Sequence, residues 1–427
     1  DRSKKEYLEL LSEEHSKRYK LTERGDTSYY RSSTKLGRWW DRVWNREKIS
    51  HKLYDTLRDT RPVAIFPRDV DYAEWRKLRT FPILNWSLGW VYRDSMVDRR
   101  VYPHGDLALM AISNAGTFGV EDVYREELSG RGGREKRQRI AHGFSVRVPG
   151  WEGSVEAMNG ADVYTTIDLD IQDVADKALR RQLDSQKAFW GTTVVMEWKT
   201  GDILAMANLG RKPNGEYGEI ENYAMHHRAE PGSTFKLAST LALLEDCNFD
   251  LNKTYDTENG KTVEIGGAKV RDSHAGGHEE TLKSAFAESY NVWFVKAIYE
   301  AYKDNPKRFT DFLRRLHLGE VAGLEEFGHR APYLPEPGKK GWWGVTLQNL
   351  AYGYGLELTP MHVLTLYNMV ANDGVMVAPR LVTRIEREGE VLEQIPVRVL
   401  ADSVCSERTL STTREFLEEV AISGTGS

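Results

Sequence analysis

Two short runs of this 427-residue chain hold residue types that could do acyl chemistry. The first is Ser233-Thr234-Phe235-Lys236, which follows a Pro231-Gly232 break and opens a long apolar run. On a helix, residues three apart share a face, so Lys236 would lie beside the Ser233 hydroxyl. A serine hydroxyl is a weak nucleophile until a neighbouring base takes its proton. A lysine serves as that base only when burial or nearby cations keep it neutral. The start of a helix also directs free N–H groups outward, which suits a developing oxyanion. The second run is Ser289-Tyr290-Asn291, set between two apolar stretches. Its Ser and Asn could point a hydroxyl and an amide into one cleft, or could cap the helix that follows.

Spacing alone is a weak signal, because Ser-x-x-Lys arises by chance in a chain rich in both residues. Ser32-Ser33-Thr34-Lys35 matches as well, but it lacks a helix-breaking dipeptide before it and leads into Gly37-Arg38, so it reads as a loop. Lys199-Thr200-Gly201 spells a triplet that some serine acyl-transfer enzymes place on the wall of their active site. A third pattern, "HAGGHEE", sets His274 and His278 four apart ahead of Glu279 and Glu280. Metal-binding helices use that spacing. The intervening Ala-Gly-Gly argues against a helix and no third ligand is evident, so the stretch reads as a polar loop leading to a helix near Thr281.

The elements that must position these residues are legible in part. "IQDVADKALRRQL" carries apolar residues at helical spacing, namely Ile171, Val174, Ala175, Ala178 and Leu179. "WGTTVVMEW" reads as a β-branched strand, and a second apolar run follows from Ile203 to Ala207. Two such runs joined by Lys199-Thr200-Gly201-Asp202 are a hairpin signal. Further upstream, Tyr7 to Leu21 and Arg38 to Arg58 read as charged amphipathic helices. Tyr92 to Ile112 passes through a turn at Pro103 to Gly105, and Gly130 to Arg139 is a loop by composition. The turn-rich stretch Gly150 to Gly160 is the expected domain boundary.

Composition narrows the class. Hydrophobic residues make up 40%, aromatics 11% and charged residues 29%, which describes a folded rather than a disordered chain. The length favours two domains. A net charge of -5 gives no overall attraction to nucleic acid. The cationic run Arg131 to Arg139 reads as a solvated surface loop, with contact to acidic polymers or lipid headgroups as the alternative, and Trp39-Trp40 and Trp342-Trp343 read as packing or glycan-facing surface. The two cysteines, Cys247 and Cys405, fit no disulfide framework or zinc spacing. No run of about 18 apolar residues is present.

With these residues in place, the chain resembles a known family. "EPGSTFK" followed by "ESYNVWF" is similar to the catalytic domain of the monofunctional (class B) penicillin-binding proteins. "RRVYPHGDLA" and "GVEDVYREELSGRGG" resemble segments of that family's N-terminal pedestal. "DVYTTIDLDIQDVADKAL" resembles the opening of its transpeptidase domain, and "LQNLAYGYGLELTPMHVLTLYNMVANDGVMVAPRLV" its later helical part. Glu230, ahead of Pro-Gly, is more typical of division-type members than of elongation-type ones.

The resemblance implies roles. Ser233 would be the acylated nucleophile and Lys236 its general base. Ser289 would relay a proton toward the leaving amine, and Asn291 would hold Lys236 and a substrate amide. The Ser233 backbone N–H would form half of an oxyanion hole. The family's own Lys-Thr-Gly follows the Ser-x-Asn element. Here the triplet precedes the nucleophile, where family members also carry a turn between strands, and the sequence ends at "ISGTGS", which is similar to the passage before that strand. Without the strand, acylation is expected to be impaired.

The implied architecture is α+β: an extended N-terminal pedestal or dimerisation-type domain over 1–155, then a transpeptidase domain over 156–427. That second domain is a mostly antiparallel sheet flanked by helices, C-terminally incomplete before its Lys-Thr-Gly strand. The implied activity is peptidoglycan D,D-transpeptidation during septal wall synthesis, with D-Ala-D-Ala stem peptides as substrate, β-lactams as inhibitors and no cofactor or metal. Implied partners are a membrane glycan polymerase and other division proteins, with no nucleic acid. Family members face the outside of the bacterial inner membrane from one N-terminal anchor, and this chain, opening on charged "DRSKKEYLELL", is expected to lack it. The alternatives are a catalytically silent penicillin-binding scaffold and a β-lactamase-type hydrolase on the same fold.

Overall fold

The computed structural model describes residues 101–113, 118–134, 136–139, 145–148 and 151–427. The helices expected over 7–21 and 38–58, the Ser32–Lys35 copy and Trp39-Trp40 lie outside the described residues. The chain divides into two compact units, residues 1–100 with 133–156 and residues 101–132 with 157–427. In the first, β1 (Arg137–Arg139) pairs antiparallel with β2 (Ser145–Arg147), so part of the basic run forms a strand.

The second unit carries the chemistry. Its β3 (Asp162–Thr165) leads into α1 (Leu169–Gln186). The Asp168 carboxylate starts that helix by accepting the N–H groups of Asp170 and Ile171 at 2.9 and 3.1 Å. Ala175 and Leu179 are buried as their spacing predicts, but Val174 is 65% exposed and Gln172 takes an inward place. Gln172 does so because its amide mimics a neighbouring strand. Its Oε1 accepts the Met206 N–H at 2.7 Å and its Nε2 donates to the Met206 carbonyl at 3.3 Å.

β4 (Trp190–Met196), β5 (Ile203–Arg211) and β6 (Tyr217–Gly218) form an antiparallel sheet in that order. β5 is buried on both faces. Ala207 and Leu209 meet Leu179 and Leu183 of α1, while Ile203 and Met206 join a cluster with Met225 and Leu381. Glu219, just past β6 and only 6% exposed, accepts the Asn208 N–H at 3.1 Å and the Met110 N–H at 2.6 Å. It thereby ties the short helix Leu109–Ile112 to the sheet. β7 (Val263–Ile265) and β8 (Ala268–Val270) make a small hairpin. β9 (Met376–Val377) pairs with β12 (Val399–Ala401), and β10 (Val382–Arg387) lies between β3 and β11 (Glu390–Gln394). All pairings between these strands are antiparallel, as expected of the mixed fold.

The helices α2 (Lys236–Leu241), α3 (Leu282–Ala287), α4 (Asn291–Tyr302), α5 (Thr346–Leu350), α6 (Pro360–Ala371) and α7 (Glu407–Ile422) surround the main core. α2 is its centre: Leu237, Ala238 and Leu241 are fully buried among Trp293, Phe294, Leu350 and Phe416. Burying a large apolar side chain contributes about 1.5–3 kcal/mol, so these residues anchor whatever α2 carries. At the start of α6, the Thr359 hydroxyl accepts the His362 N–H and bonds the His362 Nδ1 at 2.7 Å and the His329 Nε2 at 2.8 Å. The far nitrogens of the two buried rings meet the carbonyls of Gly323 and Glu320. Among the described residues no helix is long and apolar enough to cross a membrane.

Candidate active site

The Pro231-Gly232 break introduces a single 3-10 turn, Gly232–Phe235, rather than the start of an α-helix. The chain becomes α-helical at Lys236 and finishes in a π turn over Ala242–Asp246. The long apolar run that follows Pro231-Gly232 is therefore three helical types in succession. The first matters for chemistry, because a 3-10 turn eclipses side chains at i and i+3. It sets the Lys236 Nζ 3.1 Å from the exposed Ser233 Oγ. The Ser233 N–H lies in the first turn of the helix, where no intrahelical acceptor exists.

The turn is held from outside. The Gly232 N–H donates to the Gly353 carbonyl at 3.0 Å, and Ala229 and Leu358 exchange both backbone bonds. The Glu230 carboxylate accepts the Gly355 N–H at 2.8 Å. Gly353 has φ +90°, and a Cβ there would fall 2.0 Å from the Gly232 carbonyl oxygen. Only glycine allows the two segments to approach this closely.

Ser289 and Asn291 arrive from the junction of α3 and α4. Thr281 caps α3 in a reciprocal pair with Ser284, so the helix starts where the sequence indicates. Ser289 then takes a left-handed conformation, φ +60°. That conformation is uncommon for a residue with a Cβ and is typical of functional turns. Its hydroxyl and carbonyl lie 2.9 and 2.6 Å from the Lys236 Nζ, and the Asn291 Oδ1 lies at 2.7 Å. Ser233, Ser289 and Asn291 thus converge on the Lys236 amine, which brings the four sequence-predicted residues together.

Lys236 is 2% exposed, and this burial pulls its ammonium down to about 7, against the opposing pull of the nearby Asp272 carboxylate. A neutral amine has two protons to donate and one lone pair. Donating to the Ser289 carbonyl and the Asn291 Oδ1 leaves the lone pair free to accept from a serine hydroxyl. Asp272 itself was not legible in the sequence. Its Oδ1 accepts the N–H groups of Asn291 and Val292, the latter at 3.0 Å, while the Arg271 carbonyl accepts the Asn291 Nδ2 at 3.1 Å. These bonds fix the Asn291 amide with its oxygen toward Lys236. A capping residue usually sits next to its helix, and this one comes from 19 residues away.

A family model described as the penicillin binding protein transpeptidase domain matches residues 191–427. The chain belongs to that family. It is 30% identical to penicillin-binding protein PbpB of Mycolicibacterium smegmatis, over 76% of this chain and 50% of that protein. It is 26% identical to peptidoglycan D,D-transpeptidase FtsI of Escherichia coli, over 77% and 54%. Among solved structures it is similar to penicillin-binding protein 3 of Mycobacterium tuberculosis, with a TM-score of 0.63 at 27% identity, covering 76% of this chain and 69% of that one. That protein has also been solved with aztreonam and with ampicillin. The chain spans about half the length of the curated relatives it matches.

Within this transpeptidase domain, Lys199-Thr200-Gly201 is the hairpin turn between β4 and β5. The Glu197 carboxylate accepts the Thr200 N–H and hydroxyl at 2.7 and 2.8 Å, and Gly201 turns the chain at φ +76°. Its bonds run to Glu197 and Arg380, and none among the described residues reaches the Lys236 cluster. His274 and His278 also separate: His274 pairs with Glu288 at 3.3 Å and His278 with Asp256 at 2.9 Å. No group of three metal-ligating side chains exists among the described residues. The last residues instead approach the Ser289 turn. The Thr425 N–H donates to the Ala287 carbonyl at 3.1 Å, and a Cβ on Gly424 would fall 2.4 Å from the same oxygen.

Proposed function

We propose that the protein is a serine-type peptidoglycan D,D-transpeptidase acting in septal wall synthesis. Ser233 attacks the penultimate D-Ala carbonyl of a stem peptide while the neutral Lys236 amine takes its proton. The Ser233 N–H faces the developing oxyanion. Ser289 passes a proton to the leaving amine, terminal D-Ala departs, and an amine of a neighbouring stem captures the acyl-enzyme. Asn291 holds both Lys236 and a substrate amide. The observation that carries this reading is the buried Lys236 amine within 3.1 Å of Ser233 and within reach of Ser289 and Asn291.

Inhibition by β-lactams, which imitate the D-Ala-D-Ala dipeptide, is supported by the aztreonam and ampicillin complexes of the similar mycobacterial protein. The division role rests on Glu230 before Pro-Gly. Attachment to the inner membrane through an N-terminal anchor, a partner glycan polymerase and other division proteins belong to the same proposal. The test is intact mass spectrometry of the full-length protein after addition of penicillin. A stoichiometric adduct on Ser233 that vanishes in Ser233→Ala is expected, and no adduct at saturating drug would overturn the reading.

A further inference from the structure

The Ser233–Lys236 contact depends on one 3-10 turn spliced onto an α-helix. An α-helix advances about 100° per residue and a 3-10 helix about 120°, so relaxing this turn to α would rotate Ser233 about 60° away from Lys236. The 3-10 form has poorer hydrogen-bond geometry and occurs in short pieces, commonly at the ends of α-helices. Thr234 lies inside this turn, one residue before Phe235 ends it, and it is fixed at two atoms. Its hydroxyl donates to the Pro231 carbonyl at 2.8 Å. Its carbonyl accepts the Tyr367 hydroxyl at 3.1 Å, from the middle of α6 and 133 residues away.

In an α-helix the Thr234 carbonyl would accept the N–H of Ala238, four residues on. α-Helical structure begins only at Lys236, and the hydroxyl of Tyr367 meets the Thr234 carbonyl from outside the helix. We infer that Tyr367 is a positioning residue for the Ser233–Lys236 pair, its hydroxyl holding the Thr234 carbonyl so that the nucleophile turn stays 3-10. Burial raises the Tyr367 phenol to about 12, so it stays protonated and remains a donor across the working pH range. Its ring supports the fold whether or not the hydroxyl is present, which makes removal of the oxygen a clean test.

The inference rests on Ser233 being the acylated serine, and Tyr367→Phe in the full-length protein tests it with two readouts. The acylation rate constant at saturating penicillin should fall about ten- to hundredfold, the cost of misplacing a reacting group by about 1 Å. The dissociation constant of the prior noncovalent complex should stay within about twofold. The Lys236 amide donates to the Ser233 carbonyl in this turn and would donate to the Gly232 carbonyl in an α turn, so its hydrogen-exchange rate should change. An unchanged rate constant or an unchanged Lys236 exchange overturns the inference, and so does a rate loss matched by an equal loss of affinity. In a protein that takes no penicillin the transpeptidase reading fails instead, and Lys236 exchange alone then decides whether Tyr367 holds the turn.

Discussion

Lys236 joins two demands that usually oppose each other, since a buried amine is a good base only while it is uncharged. Burial lowers its pKa to about 7, and the Asp272 carboxylate pulls the other way. Acylation should therefore decline as pH falls through about 7, where the amine takes up a proton. Asp272→Asn keeps an oxygen to cap α4 but removes the charge that favours the ammonium. Its inflection should move to lower pH, so that the ratio of acylation rates at pH 6 and pH 8 rises above that of the parent protein. Rapid-mixing measurements with a chromogenic β-lactam check this, and an inflection shifted upward would contradict the assigned role. Ser233 and Lys236 were legible in the sequence because their spacing is local. Asp272 was not, because its partners belong to another segment and no rule of spacing links them.

Elements, too, were legible where their causes are local. The hairpin of β4 and β5 follows from β-branched runs around a Gly turn, and α3 follows from the Thr281 cap. The succession of 3-10, α and π turns was hidden, because its causes are tertiary. The Tyr302 hydroxyl donates to the Ala242 carbonyl at 3.1 Å where the π turn begins, and Tyr367 meets Thr234. The N-terminus of α6 makes a separate prediction. Its His362 is 1% exposed, and burial, reinforced by the neighbouring His329 ring, lowers its pKa to about 3. Unfolded histidine titrates near 6.5, so between about pH 6.5 and 3 the unfolded chain binds a proton that the folded chain refuses. Stability is then lost as pH falls below about 6.5. In His362→Gln the drop in Tm from pH 7 to pH 5 should be about 2–4 °C smaller, measured by calorimetry. An unchanged drop would place the acid sensitivity elsewhere.

Across the whole molecule, the fold class was legible because segments far apart in the chain resemble one family in the same order. The tie between residues 109–112 and the sheet was not, since it runs through a single buried acid. Burial raises Glu219 to about 8, even though two backbone N–H groups favour its charged form. The folded state holds a proton there that an unfolded glutamate releases near 4.3. This contribution is complete at low pH and is lost as pH rises through about 8. Glu219→Gln should flatten the decline in stability between pH 6 and 8.5. It should also cost about 1–3 kcal/mol at every pH, since one amide loses its acceptor. Urea unfolding at a series of pH values separates the two effects.

The backbone contacts that hold the nucleophile turn also bear on the order in which the chain folds. The bonds around Ser233 and α2 join residues 55, 112 and 125 positions apart. Each such contact closes a long loop, and contacts of this kind form late. A chain emerging from the ribosome therefore displays Ser233 and Lys236 together long before Lys236 is buried, and an exposed lysine, with a pKa near 10.4, is charged and no base. On the proposed mechanism, covalent labelling of Ser233 by penicillin would in that sense be a clock that starts only when folding has finished.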